Sequence, residues 1–218
     1  MSPDTSSTSV AVAFCPHPPA LLPGLGGGPG VETDRLRIAC GEALQTVLGM
    51  RPDVVLVVGA GPPGVRYGAG DAADLTAWGA AGRLPFAGRV RPGGHLLPLA
   101  HAVGARLLDE AGHSGTRLGV APDDLADALT QLPGPVGILA MGAGAGPGVA
   151  TALAAGDAAA LAASGAPGPE SWVAVGSVLA GRSVTARVLL DEGAPGDGHL
   201  VADWLLADVP DGVPGWLQ

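Results

Sequence analysis

The 218-residue chain contains no lysine and no asparagine, and it has only two cysteines, one tyrosine and two phenylalanines. All 11 basic residues are arginine, and 20 carboxylates leave a net charge of −9. A polyanion would meet net repulsion, which excludes a nucleic-acid surface. Missing lysine and asparagine match a GC-rich coding bias and carry no mechanistic weight. Cys15 and Cys40 are too few for a disulfide framework. Long hydrophobic runs are also missing. The longest aliphatic run, 54–58, has the length of a strand, and the alanine-rich stretch 149–166 is broken by glycines and Asp157, so no bilayer span is expected. Residues 1–9 are polar and carry Asp4 but no base, unlike the start of a signal peptide. They read as a disordered N-terminal tail, and the chain reads as cytoplasmic with no membrane partner.

Glycine (37) and proline (21) together exceed a quarter of the chain, a share found in low-complexity segments. The 47% of hydrophobic residues and 14% of charged ones oppose that reading, because they suffice to bury one core. A single domain over 10–218 is expected.

Hydrophobic spacing places strands at 10–14, 54–58, 117–120, 136–141 and 184–190, and helices at 32–49, 96–111, 123–132 and 148–163. The segment 172–179 is ambiguous, 200–206 reads as a last strand or a short helix, and 59–94 reads as irregular. Strand, helix and strand within the first 58 residues form a βαβ unit, so its two strands should be parallel. The alternation predicts an α/β fold with helices on both sheet faces. Ligands in such folds collect at the carboxyl ends of strands, here the loops 15–19, 59–64 and 142–148.

The loop Gly59-Ala60-Gly61-Pro62-Pro63-Gly64 spells a dinucleotide fingerprint. That chemistry needs a helix starting at the loop to hold the pyrophosphate, and an acid about 20 residues on. Neither is present, so a Gly-Pro turn is the preferred reading. The loop 142–148 lacks the Lys-Ser/Thr ending of a P-loop and reads as a plain connection.

None of the five histidines forms a close metal pair. His17 lies between Pro16 and Pro18 just beyond a strand, and such rigid placement suits a ligand as well as a simple turn. His95 stands at the entrance to a helix and His199 near the last strand. His101 and His113 read as surface or satisfied core residues. Glu170, Asp191 and Glu192 are candidate carboxylates among which spacing does not choose.

The opening strand with Cys15-Pro16-His17-Pro18-Pro19, followed by a helix and Pro52-Asp53-Val54-Val55-Leu56-Val57-Val58, resembles the start of the LigB-type class III extradiol ring-cleavage dioxygenase and Memo-like superfamily. Further blocks with the same likeness are Leu97-Pro98-Leu99-Ala100-His101-Ala102-Val103-Gly104, Met141-Gly142, Ala154-Ala155-Gly156-Asp157 and Gly198-His199-Leu200-Val201-Ala202-Asp203-Trp204. The resemblance implies a three-layer α/β/α sandwich around a mixed, largely parallel sheet. It also implies iron(II) held by two histidines and a glutamate, with positions left for a catechol and O₂. His17 matches the first ligand, and His95 resembles the histidine near the metal that moves protons. The second ligand histidine should follow the second core strand, where this chain has Gly59-Ala60-Gly61, and no matching glutamate is found.

Two readings follow from that likeness. One is a divergent oxygenase for a phenolic molecule, with iron(II) on His17 and with His95 or His199 replacing the missing ligand. His199 is the expected metal partner of His17, and His17 and His95 are the expected catalytic residues. The other reading is a catalytically inactive relative without metal that binds a small ligand or a protein. Either reading leaves room for a homo-oligomer or a second, different chain as partner.

Overall fold

Runs of β-branched and aliphatic residues make the strands, and glycine- and proline-rich breaks separate them from alanine-rich helices. A computed structural model describes residues 10–25, 30–142, 147–164, 170–192 and 198–206. In chain order the elements are β1 (Val10–Pro16), α1 (Val31–Gly49), β2 (Val54–Val58), β3 (Ala72–Asp74), β4 (Arg83–Pro85), α2 (Leu99–Glu110) and β5 (Thr116–Val120). They continue with α3 (Leu125–Gln131), β6 (Val136–Gly142), α4 (Pro147–Ala155), α5 (Ala158–Ala163), α6 (Glu170–Leu179), β7 (Val184–Asp191) and β8 (Leu200–Leu206).

Six strands form one sheet in the order β5-β2-β6-β1-β8-β7. β1 and β2 both run parallel to β6, which lies between them, and β5 runs parallel to β2. β8 is antiparallel to β1 and to β7. The sheet is therefore mixed and mostly parallel, as expected for this α/β fold.

Alternate residues of the central strands feed two cores. Ala11, Ala13, Cys15, Val55, Val57, Leu139 and Met141 pack toward α1 and α2. Val12, Phe14, Leu56, Val58, Ile138 and Ala140 pack toward α4, α5 and α6, with Trp172 and Trp204. Both tryptophans stand edge-on to Phe14. Cys15 and Cys40 are free and buried in the first core.

Several expectations change. The helix expected over 148–163 is two helices, because Gly156 adopts a left-handed φ of 65° and Asp157 caps α5 by accepting from the Ala160 amide at 2.9 Å. The segment 59–94 is not wholly irregular, since β3 and β4 pair in a small antiparallel sheet around a 3-10 turn at Leu75–Trp78. The helix expected from residue 96 starts at Leu99, behind an extended Pro98 with ψ 159°. The ambiguous segment 172–179 belongs to helix α6, and 200–206 is a strand.

The expected tail at 1–9 and most of the loop 142–148 lie outside the described residues. Among the described residues, no helix is long and apolar enough to cross a membrane.

Candidate functional site

Four parallel strands deliver their carboxyl ends to one rim of the sheet, and the site grows from β1. Its last residue, Pro16, pairs with Gly142 at the end of β6. Pro18 is extended and leads into a 3-10 turn at Pro19–Leu21, closed by the Leu21 amide on the Pro18 carbonyl at 3.1 Å. His17 is fixed between these two prolines. Its Nδ1 is buried and has no hydrogen-bond partner. Burial pushes the His17 pKa below the ordinary histidine range, while a backbone hydrogen bond at Gly142 and the charge of Glu170 pull the other way.

A second imidazole arrives from the other side. His101 lies in the first turn of α2 and is fully buried. Its Nε2 stands 3.1 Å from the Val120 carbonyl, at the end of β5. A carbonyl only accepts, so Nε2 carries the proton and Nδ1 presents a lone pair. That Nδ1 is buried and has no partner. Desolvation pushes the His101 pKa down to about 4; the Val120 bond opposes this and the nearby His17 adds to it. Both imidazoles are therefore neutral at neutral pH.

The glycines that misspell a nucleotide loop make room for this ring. A Cβ on Gly59 would sit 2.6 Å from Cβ of Ala100 and 3.3 Å from Cε1 of His101. One on Gly119 would stand 2.7 Å from Cδ2 of His101, and one on Gly61 would meet the Tyr67 hydroxyl at 3.4 Å. No helix starts at the loop; the chain instead bridges Tyr67 to Gly119 through amide–carbonyl bonds of 2.9 and 2.8 Å. The Tyr67 ring lies against His101, with centroids 4.6 Å apart, and edge-on to His95 at 6.4 Å. Burial, and secondarily Asp71, raise the Tyr67 pKa above its ordinary value. Buried Asp71 accepts from the Gly68 amide at 2.8 Å and the His95 amide at 2.7 Å, which fixes the loops carrying Tyr67 and His95.

The remaining candidates separate. The His199 amide donates to Glu192 Oε2 at 3.2 Å, and its carbonyl accepts from the Glu192 amide at 3.1 Å. His199 lines a groove of about 820 Å³ with Glu32, Arg35, Glu42 and Asp191, between α1 and the end of β7. These neighbours differ from those of His17, which are His101, Gly142 and Glu170. Of the three carboxylates, Glu170 is the one whose charge acts on His17. His113 is half-buried with Nε2 3.4 Å from the Thr116 carbonyl, a local turn contact.

His101 departs from expectation, being neither a surface residue nor a satisfied core residue. A cue lay in Gly104, Ala105 and Leu108, which share its face of the helix and are all apolar. Tyr67, the single tyrosine, stands out in the sequence only as one of the few aromatics able to line a phenolic pocket, with Phe14, Trp78, Phe86 and Trp172. Among the described residues, no group of three or more His, Cys, Asp or Glu side chains is arranged to hold a metal ion. The two orphan nitrogens, both neutral imidazole donors, nonetheless suit a borderline transition metal. No protein-family model and no curated protein matches this chain.

Proposed function

We propose that the chain is a divergent relative of the class III extradiol dioxygenases and Memo-like proteins, with His17 and His101 as its metal-binding pair and a small phenolic molecule as its ligand. One observation carries the reading: two buried imidazoles from different elements each leave an Nδ1 without a partner. Leaving a buried acceptor unpaired costs on the order of 1–3 kcal/mol, so two in one site call for a ligand. His101 fills the space over Gly59 and Gly61, where the family likeness expects the second ligand histidine. The missing imidazole is thus replaced in space from α2, not in sequence after β2.

Iron(II) held there would supply a Lewis-acid centre with open positions for phenolic oxygens and O₂. The chain's own groups do the rest. Val120 fixes the His101 tautomer, so that Nδ1 is the nitrogen offered to the site. The Tyr67 ring walls the pocket beside His101, and its hydroxyl, near Gly61, donates to a ligand oxygen. His95, exposed and edge-on to Tyr67, carries protons between the pocket and water. Oxidative cleavage of a catechol-type ring is the reaction the likeness implies. The lack of a three-donor group among the described residues favours, as a second reading, a non-catalytic binding module on the same pocket.

Anaerobic loading with iron(II), followed by metal analysis, tests the assignment. The wild type and His199→Ala are expected to retain near-stoichiometric iron, while His17→Ala and His101→Ala lose it. Iron retained by His101→Ala but lost from His199→Ala would refute the pairing. O₂ uptake with a catechol panel then separates the oxygenase from the binding module.

A further inference from the structure

We infer that the outward face of α1 is the surface through which two copies of this chain pair about a two-fold axis, a proposal independent of the histidine pocket. α1 buries Leu36, Ala39, Cys40, Ala43, Leu44 and Val47 against the sheet. Its opposite stripe carries Val31 and Ile38, which are 76% and 63% exposed, the former among the most exposed large hydrophobic residues described. Between and beyond them on the same stripe lie Arg35 and Glu42.

Ile38 is a ridge between two hollows. On one side the groove of about 820 Å³ has Leu189 and Leu190 in its wall. On the other, a groove of about 520 Å³ is lined by Gly41, Leu107 and Ala111. A Cβ added at Gly41 would meet nothing within 4 Å, so the groove is open one turn from the ridge. An apolar ridge flanked by grooves is the shape into which a second helix surface packs.

Charge selects the occupant. Arg35 and Glu42 are two turns apart, about 10 Å along the helix. Neither takes part in a direct ion pair among the described residues, although the charge of Glu42 also acts on Arg187 of its own chain. An antiparallel pairing about a two-fold axis between positions 38 and 39 brings Arg35 against the partner's Glu42 and Glu42 against the partner's Arg35. The same operation sets the two Ile38 ridges side by side at the centre. Such reciprocity is what an isologous contact requires. The two ion pairs supply local attraction against the net charge of −9 per copy and against Glu32, Asp191 and Glu192, the further acids in the wall of the same groove.

Sedimentation of the full chain at about 50 µM, well above a micromolar dissociation constant, is the test. The wild type should sediment at twice 21.2 kDa. Ile38→Asp should be monomeric, and Arg35→Glu should weaken pairing at least about 10-fold by setting like charges opposite each other. The double variant Arg35→Glu/Glu42→Arg should recover the dimer, because the reversed pairs are again complementary. These positions are exposed, so circular dichroism should show unchanged helix content in all variants. A wild-type monomer, a dimeric Ile38→Asp, or a folded double variant that stays monomeric would each overturn the proposal.

Discussion

His101 is a base that the fold keeps uncharged. With a pKa near 4 in the folded chain against about 6.5 when unfolded, the unfolded state takes up the proton first as pH falls. The contribution is complete above pH 6.5 and is lost as pH drops toward 4, an effect of about 3 kcal/mol at its limit. Urea unfolding of the metal-free chain at neutral pH and near pH 4 should show this loss, and His101→Phe should remove that part of it. A variant with the same pH slope as the wild type would mean that the imidazole is not desolvated as described. The stiff placement of His17 was readable from its flanking prolines, since local stiffness is written in adjacent residues. The burial of His101 was not, because its slot is built from Gly59, Gly61, Gly119 and Tyr67, which meet only after the strands pair.

Among the elements, the break between α4 and α5 shows what composition hides. The alanine-rich pattern continues across it, but Gly156 turns left-handed and Asp157 caps the second helix. Asp157→Ala should cost about 1 kcal/mol of unfolding free energy, the usual value of a lost N-cap. Gly156→Ala should cost more, since its Cβ would stand 2.5 Å from Cγ2 of Val184 in addition to the strained φ. Denaturant titration of the two variants checks the order. Strands β1, β2 and β6 were readable as uninterrupted aliphatic runs because both of their faces are buried. β3 and β4, three residues each, have no period long enough to detect.

At the scale of the molecule, the antiparallel edge strands are tied to helix α1 by one polar cluster. Buried Asp203 on β8 accepts from Arg187 Nε on β7 at 3.0 Å and from the Thr46 hydroxyl on α1 at 2.8 Å. A second guanidinium nitrogen of Arg187 also contacts the Asp203 carboxylate. Arg187→Met should destabilise the chain by about 2 kcal/mol or more, since it leaves a buried carboxylate short of its countercharge. Arg106→Met, which removes an exposed pair with Glu110, should cost at most about 1 kcal/mol. Thermal melts of the two variants in parallel would expose any failure of that ranking. The class of fold was legible in the alternation of strands and helices. The strand order was not, because β1 takes as its neighbours β6 and β8, which come from far along the chain.

That order also bears on how the chain is made. β1 is flanked by β6 and β8, and Phe14 pairs with Ala140 on one side and Ala202 on the other. Synthesis proceeds from the N-terminal side, so β1 is made well before β6 and β8 and waits for both neighbours. Until then its apolar edges stay open to chaperones or to wrong partners on the way out of the ribosome.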